Sequence, residues 1–232
     1  MSLNPPSILI DAPHLFVGAK LEVDVLWQGG ETLAILCHPN PVDGGTMHNK
    51  VVSTLYRFCR DVKGHDTGMN VLRFNSRGVG RSDGVAMAGL AEFDDVRCVL
   101  EWALNEYHAK YTKRIKKLWL GGFSFGGFLA CQLADWVLEQ GLLDIDAVAL
   151  IAPSIERHDT TALKLPCERT FMIYADNDRL VTPAVMSEFV QRHGIAYTVL
   201  AGAGHFFHGR LGELTQSIAA HYQKIVEQAP SI

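Results

Sequence analysis

Apolar residues occur along the chain in two spacings, which indicate two kinds of secondary structure. Short, nearly continuous apolar runs are typical of strands, and segments with apolar residues three or four positions apart are typical of amphipathic helices. The runs predict about eight strands, one beginning at residue 117 and the others at 7–11, 21–27, 32–38, 69–74, 146–151, 169–175 and 195–200. The helical spacing predicts helices over about 47–62, 93–107, from the turn near 124 to about 139, from 182 onward, and over 211–225.

Most predicted strands are apolar on both faces, but one of them alternates. In residues 21–27, Leu21 and Val23 alternate with Glu22 and Asp24, which predicts a strand with one solvated face, as at a sheet edge. Strands that are apolar on both faces and are separated by helices indicate a mostly parallel sheet covered by helices on both sides. Since no repeat or linker interrupts the pattern, the sequence predicts a single α/β domain spanning all 232 residues.

A serine between two glycines follows the strand that begins at residue 117. Gly122-Phe123-Ser124-Phe125-Gly126 fits the pattern Gly-x-Ser-x-Gly, in which the serine lies on a sharp turn between a strand and a helix. The turn strains the backbone of the serine, and a Cβ at either glycine would collide with the neighbouring chain. Unpaired N–H groups at the start of the following helix would point at an oxyanion beside the serine. The motif therefore predicts a nucleophile at position 124.

Further polar residues follow the carboxyl ends of the later predicted strands. Ser124 is followed along the chain by Asp176 and Asp178 and then by His205, and in a parallel sheet such positions share one rim. A histidine can take the proton of a serine hydroxyl, and a carboxylate can orient that histidine. We expect His205 to be the base rather than His208, which lies where the last helix should begin. Local physics leaves both aspartates open as the acid.

Composition argues against several other classes of function. The net charge is −4 and the Lys and Arg residues are scattered, so no nucleic-acid partner is expected. Five widely spaced cysteines without a Cys-x-x-Cys pair suit a reducing compartment. With no secretory signal and no apolar run long enough to span a bilayer, we expect a cytoplasmic protein without a membrane partner. Neither metal-ligand spacing nor a complete phosphate-binding motif occurs, so no metal and no cofactor are expected.

Five motifs in chain order resemble the α/β-hydrolase superfamily, whose triad runs serine, acid, histidine. More narrowly, the chain resembles the small serine hydrolases without a lid that are related to dienelactone hydrolases and bacterial serine esterases. The motifs are His38-Pro39-Asn40-Pro41 with Gly44-Gly45, residues 75–82, the turn at Ser124, Asp178-Arg179-Leu180-Val181, and Gly204-His205-Phe206-Phe207. Dienelactone hydrolases themselves carry cysteine where this chain carries serine.

The resemblance implies an α/β-hydrolase fold and a triad of Ser124, Asp178 and His205. The family pattern around the acid falls on Asp178 rather than Asp176. Residues 152–168, where many enzymes of this fold insert a helical lid, are too few for a cap domain. We therefore expect an open site.

The oxyanion hole is expected to use two backbone N–H groups. One belongs to Phe125, the residue after the nucleophile. The resemblance takes the second from the loop after the third strand, where proline at two positions leaves Asn40 as the backbone donor among the three residues after His38. Losing one such donor typically costs about 3 kcal/mol of transition-state stabilisation. Phe123, Phe206 and His38 are predicted to contact the substrate.

An open site with such a triad predicts hydrolysis of short-chain carboxylic esters or thioesters through an acyl-enzyme. Two alternatives from other classes are a serine peptidase of the same fold and a binding protein whose triad is not used. The sequence predicts no particular oligomeric state.

Overall fold

The computed structural model describes residues 6–62 and 68–228. Residues 1–5, where the sequence predicts no leader, lie outside them. Eight strands are present in the described part: β1 Ile8–Asp11, β2 Lys20–Leu26, β3 Thr32–Cys37, β4 Asn70–Asn75, β5 Lys117–Phe123, β6 Asp144–Ile151, β7 Thr170–Ala175 and β8 Ala196–Leu200. The helices are α1 Lys50–Asp61, α2 Glu92–Tyr111, α3 Phe125–Gln140, α4 Pro183–His193 and α5 Leu211–Glu227, with a short 3-10 helix at Cys167–Arg169.

All the strands belong to one sheet, in the order β1-β2-β4-β3-β5-β6-β7-β8. β2 runs antiparallel to both β1 and β4, and the remaining pairs are parallel. This arrangement confirms the predicted mostly parallel sheet. It also places β5 between β3 and β6, so the carboxyl ends of these three strands open onto one rim.

Helices cover both faces of the sheet. Trp119 on β5 packs against Phe58 of α1 and Tyr222 of α5, with ring centroids 6.0 and 6.5 Å away. Its neighbours Leu118 and Leu120 point to the opposite face and are also fully buried. On that face α3 packs against β5 and α2 packs against α3. Burial on both sides explains why the central strands are apolar at consecutive positions.

The prediction that β2 has one solvated face is wrong. Glu22 and Asp24 are only 7% and 2% exposed, because each carboxylate has hydrogen-bonding partners on neighbouring segments of the same chain. Asp24 accepts hydrogen bonds from Arg73 at 2.7 and 2.8 Å, while Glu22 accepts them from Arg81 at 3.0 Å and Asn75 at 2.8 Å. The alternation on β2 therefore comes from ion pairing within the protein, since β2 lies between β1 and β4 rather than at the edge.

No lid is inserted between β6 and β7. Residues 152–166 are irregular, and the 3-10 helix Cys167–Arg169 leads directly into β7. Among the described residues, no helix is long and apolar enough to cross a membrane.

β5 passes into α3 through the single residue Ser124, and this crossing leaves no room for side chains on its flanks. A Cβ at Gly122 would lie 2.0 Å from the carbonyl oxygen of Gly126. A Cβ at Gly126 would lie 2.2 Å from the carbonyl oxygen of Cys37 and 2.6 Å from that of His38, where β3 ends. These obstacles are backbone atoms, which cannot rotate away, so the predicted collision at both glycines is confirmed.

The change Gly126→Ala should therefore destabilise the protein by at least about 2 kcal/mol, because α3 has to move away from the end of β3. Gly212→Ala is the matched control, since Gly212 lies in α5 and a Cβ there meets no atom within 4 Å. The control should leave stability unchanged or raise it by about 0.5–1 kcal/mol through helix propensity. Urea denaturation followed by circular dichroism measures both; equal stability of the two variants would contradict the steric argument.

Candidate active site

Ser124 has a strained backbone at the tip of β5. Its φ and ψ are 54° and −119°, a region that residues with a side chain seldom occupy. Two hydrogen bonds hold it there: the N–H of Ser124 donates to the carbonyl of Ile151 at 3.0 Å, and its carbonyl accepts from the N–H of Ser154 at 2.9 Å. The hydroxyl is thus presented at the rim, on a backbone fixed by β6 and the segment that follows it.

Asp178 and His205 form a buried pair at the same rim. His205 Nδ1–H donates to Asp178 Oδ2 at 2.7 Å, and the side chains are only 5% and 0% exposed. The other carboxylate oxygen, Oδ1, accepts the N–H groups of Leu180 and Val181 at 2.8 and 3.0 Å. Burial by itself raises the pKa of Asp178, but the hydrogen bonds from His205 and from the two N–H groups outweigh it and lower the pKa. The carboxylate is therefore ionised, which places the proton on Nδ1 and leaves Nε2 as an acceptor.

The structure separates the alternatives that local physics left open. Asp176 is exposed and accepts the N–H of Gly202 at 2.6 Å, so it closes a loop and does not contact His205. His208 is exposed and stacks on Phe206, with ring centroids 5.8 Å apart. The pair at the rim is therefore Asp178 with His205.

Aromatic rings place His205 beside the serine turn. Phe123, which immediately precedes Ser124, has its ring centroid 5.0 Å from that of His205. Phe206 contacts the His205 ring edge-on, at 5.1 Å and 90°. Phe123 is fully buried while Phe206 is 45% exposed. The rings hold the imidazole from below and from the side.

The loop after β3 approaches the same site. Asn40 is partly exposed at the cleft, and its carbonyl and side chain bind neighbouring loop groups: the N–H of Gly45 donates to its carbonyl at 2.9 Å, and its Nδ2–H donates to Asp43 at 2.6 Å. Phe125 begins α3, so its N–H has no partner within the helix. Both residues line the cleft with Ser124, as expected for two backbone donors to one site.

His38 supports this loop from inside the protein. Its Nδ1–H donates to the carbonyl of Pro39 at 2.7 Å, and its Nε2 accepts from the N–H and hydroxyl of Ser76 at 3.1 and 2.8 Å. Burial lowers the pKa of His38 to about 4, despite the opposing effect of its bond to Pro39 and of Asp95 and Glu92. A neutral ring with both nitrogens occupied fits a structural support for the residues beside Asn40.

Direct substrate contact is not supported for two of the residues predicted to make it. His38 is 2% exposed and Phe123 is fully buried, so both side chains lie beneath the cleft. Phe206 alone among the three has an exposed ring.

The cleft above Ser124 has a volume of about 400 Å³. Its walls are largely residues that sequence analysis did not single out as site residues, because they come from four separate loops: Val42, Met87, Ala88, Arg157, His158 and Leu180. One loop is fixed by the buried carboxylate of Glu92, which accepts the N–H groups of Met87, Ala88 and Gly89 at 2.7–2.9 Å. In the sequence, an acidic residue just after a glycine-containing loop is only a weak indication that its carboxylate binds the loop. It does not indicate which surface that loop faces.

The described residues include no group of three or more His, Cys, Asp or Glu side chains arranged to hold a metal ion. The cysteine nearest the loop after β3, Cys37, is fully buried, and burial raises the pKa of its thiol to about 12. Its thiol is therefore not a competing nucleophile.

Comparison with known proteins agrees with the fold and with the absence of a lid. The family described as having the alpha/beta hydrolase fold matches residues 90–204. A serine hydrolase without a lid from Xanthomonas campestris is 30% identical and superimposes with a TM-score of 0.78, over 100% of this chain and 98% of that one. A serine hydrolase homologue from Coxiella burnetii is also 30% identical, with a TM-score of 0.74 and coverage of 99% and 100%.

An uncharacterized protein of Rickettsia prowazekii is 32% identical over 197 residues, which cover 80% of this chain and 76% of the relative. The narrower resemblance to dienelactone hydrolases stays a prediction. The fold, the serine turn and the similarity along the whole chain together show that this chain belongs to the α/β-hydrolase family, among the serine hydrolases that lack a lid.

Proposed function

We propose that the protein hydrolyses short-chain carboxylic esters or thioesters through an acyl-enzyme on Ser124. The observation that carries the proposal is the buried Asp178–His205 pair, which lies against the turn that presents Ser124. In the proposed triad, Ser124 is the nucleophile, His205 the general base and Asp178 the group that orients and stabilises the imidazolium.

In the first half of the reaction, Ser124 Oγ attacks the acyl carbon while His205 Nε2 takes its proton. The N–H groups of Asn40 and Phe125 stabilise the oxyanion of the tetrahedral intermediate. When the intermediate collapses, the bond to the alcohol or thiol breaks, and His205 returns the proton to that leaving group.

In the second half, a water molecule takes the place of the leaving group. His205 removes a proton from the water as its oxygen attacks the acyl carbon, and the same two N–H groups stabilise the second oxyanion. Collapse releases the carboxylic acid and returns the proton to Ser124. Since Asp178 is ionised in the resting protein, no proton has to reach it at any step.

The proposal requires one contact to tighten. Within the described parts of the chain, Ser124 Oγ makes no hydrogen bond, whereas catalysis needs it within reach of His205 Nε2. Hydrogen bonds between nucleophile and base are often long without substrate and shorten in the reactive complex. Since His205 is already fixed at Nδ1 by Asp178, the proposal assigns this contact to movement of the serine hydroxyl or of the loop carrying the ring.

The shape of the cleft supports short acyl chains. Apolar side chains of Val42, Met87 and Leu180 line a cavity of about 400 Å³, and these residues are themselves 62%, 69% and 48% exposed. A short chain can be buried against them. The distal part of a long chain would stay in water, where its methylenes add nothing to binding.

We expect kcat/KM to be at least about tenfold higher for p-nitrophenyl butyrate than for the palmitate ester, because methylenes outside the cleft gain no burial. Both esters are assayed as monomers, below the critical micelle concentration of the palmitate ester. Equal or greater activity on palmitate would show that the cleft extends further than the proposal assumes.

The nucleophile is tested by covalent labelling. A fluorophosphonate should label the wild-type protein at Ser124, and Ser124→Ala should abolish labelling and lower kcat by a factor on the order of 10⁴ or more. Ser154→Ala is the matched control, since Ser154 lines the same cleft and is not part of the proposed triad. An unlabelled wild-type protein would favour the binding-protein alternative, and label on Ser154 would contradict the assignment of the nucleophile.

The acid is tested by a pair of aspartate variants. Asp178→Asn should lower kcat by a factor on the order of 10³–10⁴, because the amide favours the wrong tautomer of His205 and no longer stabilises the imidazolium. Asp176→Asn changes the same atoms two residues away on an exposed loop, and it should leave kcat within about threefold of wild type. The reverse ranking of the two variants would assign the acid to Asp176.

A further inference from the structure

A second cavity adjoins the cleft above Ser124. It has a volume of about 420 Å³ and lies between the irregular segment after β6 and helix α4. Arg157 and His158 line both cavities, so these two residues form the boundary between them. A polar group carried by a substrate bound above Ser124 can therefore reach Arg157 at this boundary.

Arg157 differs from the other charged residues of the two cavities in having no partner. The carboxylate of Glu156 accepts the N–H of Thr182, that of Asp159 accepts the N–H and hydroxyl of Thr161, and that of Asp43 accepts from Asn40, while Glu188 and Arg192 pair with each other. Across the described residues, the guanidinium of Arg157 makes neither an ion pair nor a hydrogen bond. Arg157 is thus an exposed cation at the boundary without a partner of its own in the described chain, whereas the carboxylates of Asp43, Glu156 and Asp159 accept hydrogen bonds from uncharged groups.

The residues on either side of Arg157 are anchored. The ring of His158 stacks on Phe128 of α3, with centroids 4.2 Å apart and planes 12° apart, and it lies 5.4 Å from the ring of Phe125. Glu156 is tied to the start of α4 at 2.9 Å. Because both neighbours are held, the backbone of Arg157 is positioned at a fixed place relative to Ser124.

We propose that Arg157 binds a carboxylate carried by the substrate, so that the preferred esters or thioesters bear a second, anionic group reaching toward the adjoining cavity. This inference rests on the proposed function. An arginine guanidinium pairs with a carboxylate through parallel N–H···O bonds, which fix orientation as well as adding affinity. Since the chain has a net charge of −4, an anionic ligand gains nothing from the overall field and needs a local cation.

The inference is tested with two pairs of substrates that differ only in one charge. The first pair carries it on the acyl side: mono-p-nitrophenyl adipate and its neutral methyl ester. The second carries it on the leaving group: 7-acetoxycoumarin-4-acetic acid and its methyl ester. In at least one pair, we expect kcat/KM of the wild-type protein to be about tenfold higher for the charged member, as one charge-assisted pair permits.

Arg157→Gln should reduce the ratio of charged to neutral kcat/KM to about one, and Arg157→Lys should retain part of it, since lysine keeps the charge without the planar fork. Arg114→Gln is the matched control: it changes the net charge equally, but Arg114 is exposed just before β5, at the opposite end of that strand from Ser124. The control should keep the full wild-type ratio.

The outcomes separate the role of Arg157 from the proposed function. Hydrolysis of the neutral esters with no preference for charge in either pair would overturn the role of Arg157 and leave the proposed function intact. A preference that persists in Arg157→Gln would likewise overturn it. Absence of hydrolysis of all four substrates by the wild-type protein would contradict the proposed function, and the inference would fall with it.

Discussion

Ser124 can stand at the end of β5 only because the backbones of α3 and β3 touch at a position without a side chain. The carbonyl oxygens of Cys37 and His38 occupy the space where a Cβ of Gly126 would lie, and Gly126 itself blocks a Cβ at Gly122. This close approach allows a one-residue turn with a positive φ at the serine. It also brings the loop after β3 next to the start of α3, so one steric constraint sets both the hydroxyl and the two proposed oxyanion donors.

Around that turn, the polar groups are buried but have partners. Asp178 satisfies both of its oxygens with Leu180, Val181 and His205, and His38 satisfies both ring nitrogens with Pro39 and Ser76. An unpaired carboxylate at such burial would take up a proton and lose its ability to orient a histidine. Full hydrogen bonding is what allows the ionised Asp178 and the neutral His38 to lie within an apolar core.

The surface above the serine is built from loops rather than from the sheet. With no lid after β6, its walls come from loops whose ends are held by buried or stacked residues, such as Glu92 beneath Met87 and Phe128 beneath His158. The side chains that face the cleft are left free to differ in chemistry, apolar on one side and cationic at Arg157. A fixed centre with variable loops is how one fold serves many substrates.

Local patterns determined much of this protein. The apolar runs predicted every strand, and the glycines around Ser124 predicted the turn. Strand burial and the exclusion of a Cβ both depend on residues only a few positions apart, so both can be recognised in the sequence. One local prediction was wrong: Glu22 and Asp24 looked solvent-facing, yet both are buried against partners on a neighbouring strand. His38, which was predicted to contact the substrate, is likewise buried, against Ser76.

Tertiary structure determines what depends on distance in space. It places Asp178 rather than Asp176 against His205, as the resemblance implied, whereas the local chemistry of two aspartates two residues apart is the same. It also brought Met87, Leu180 and Arg157 to one cleft from separate parts of the chain. Polarity and periodicity indicate which face of a helix or strand is buried. How the elements pack determines which residues that face contacts.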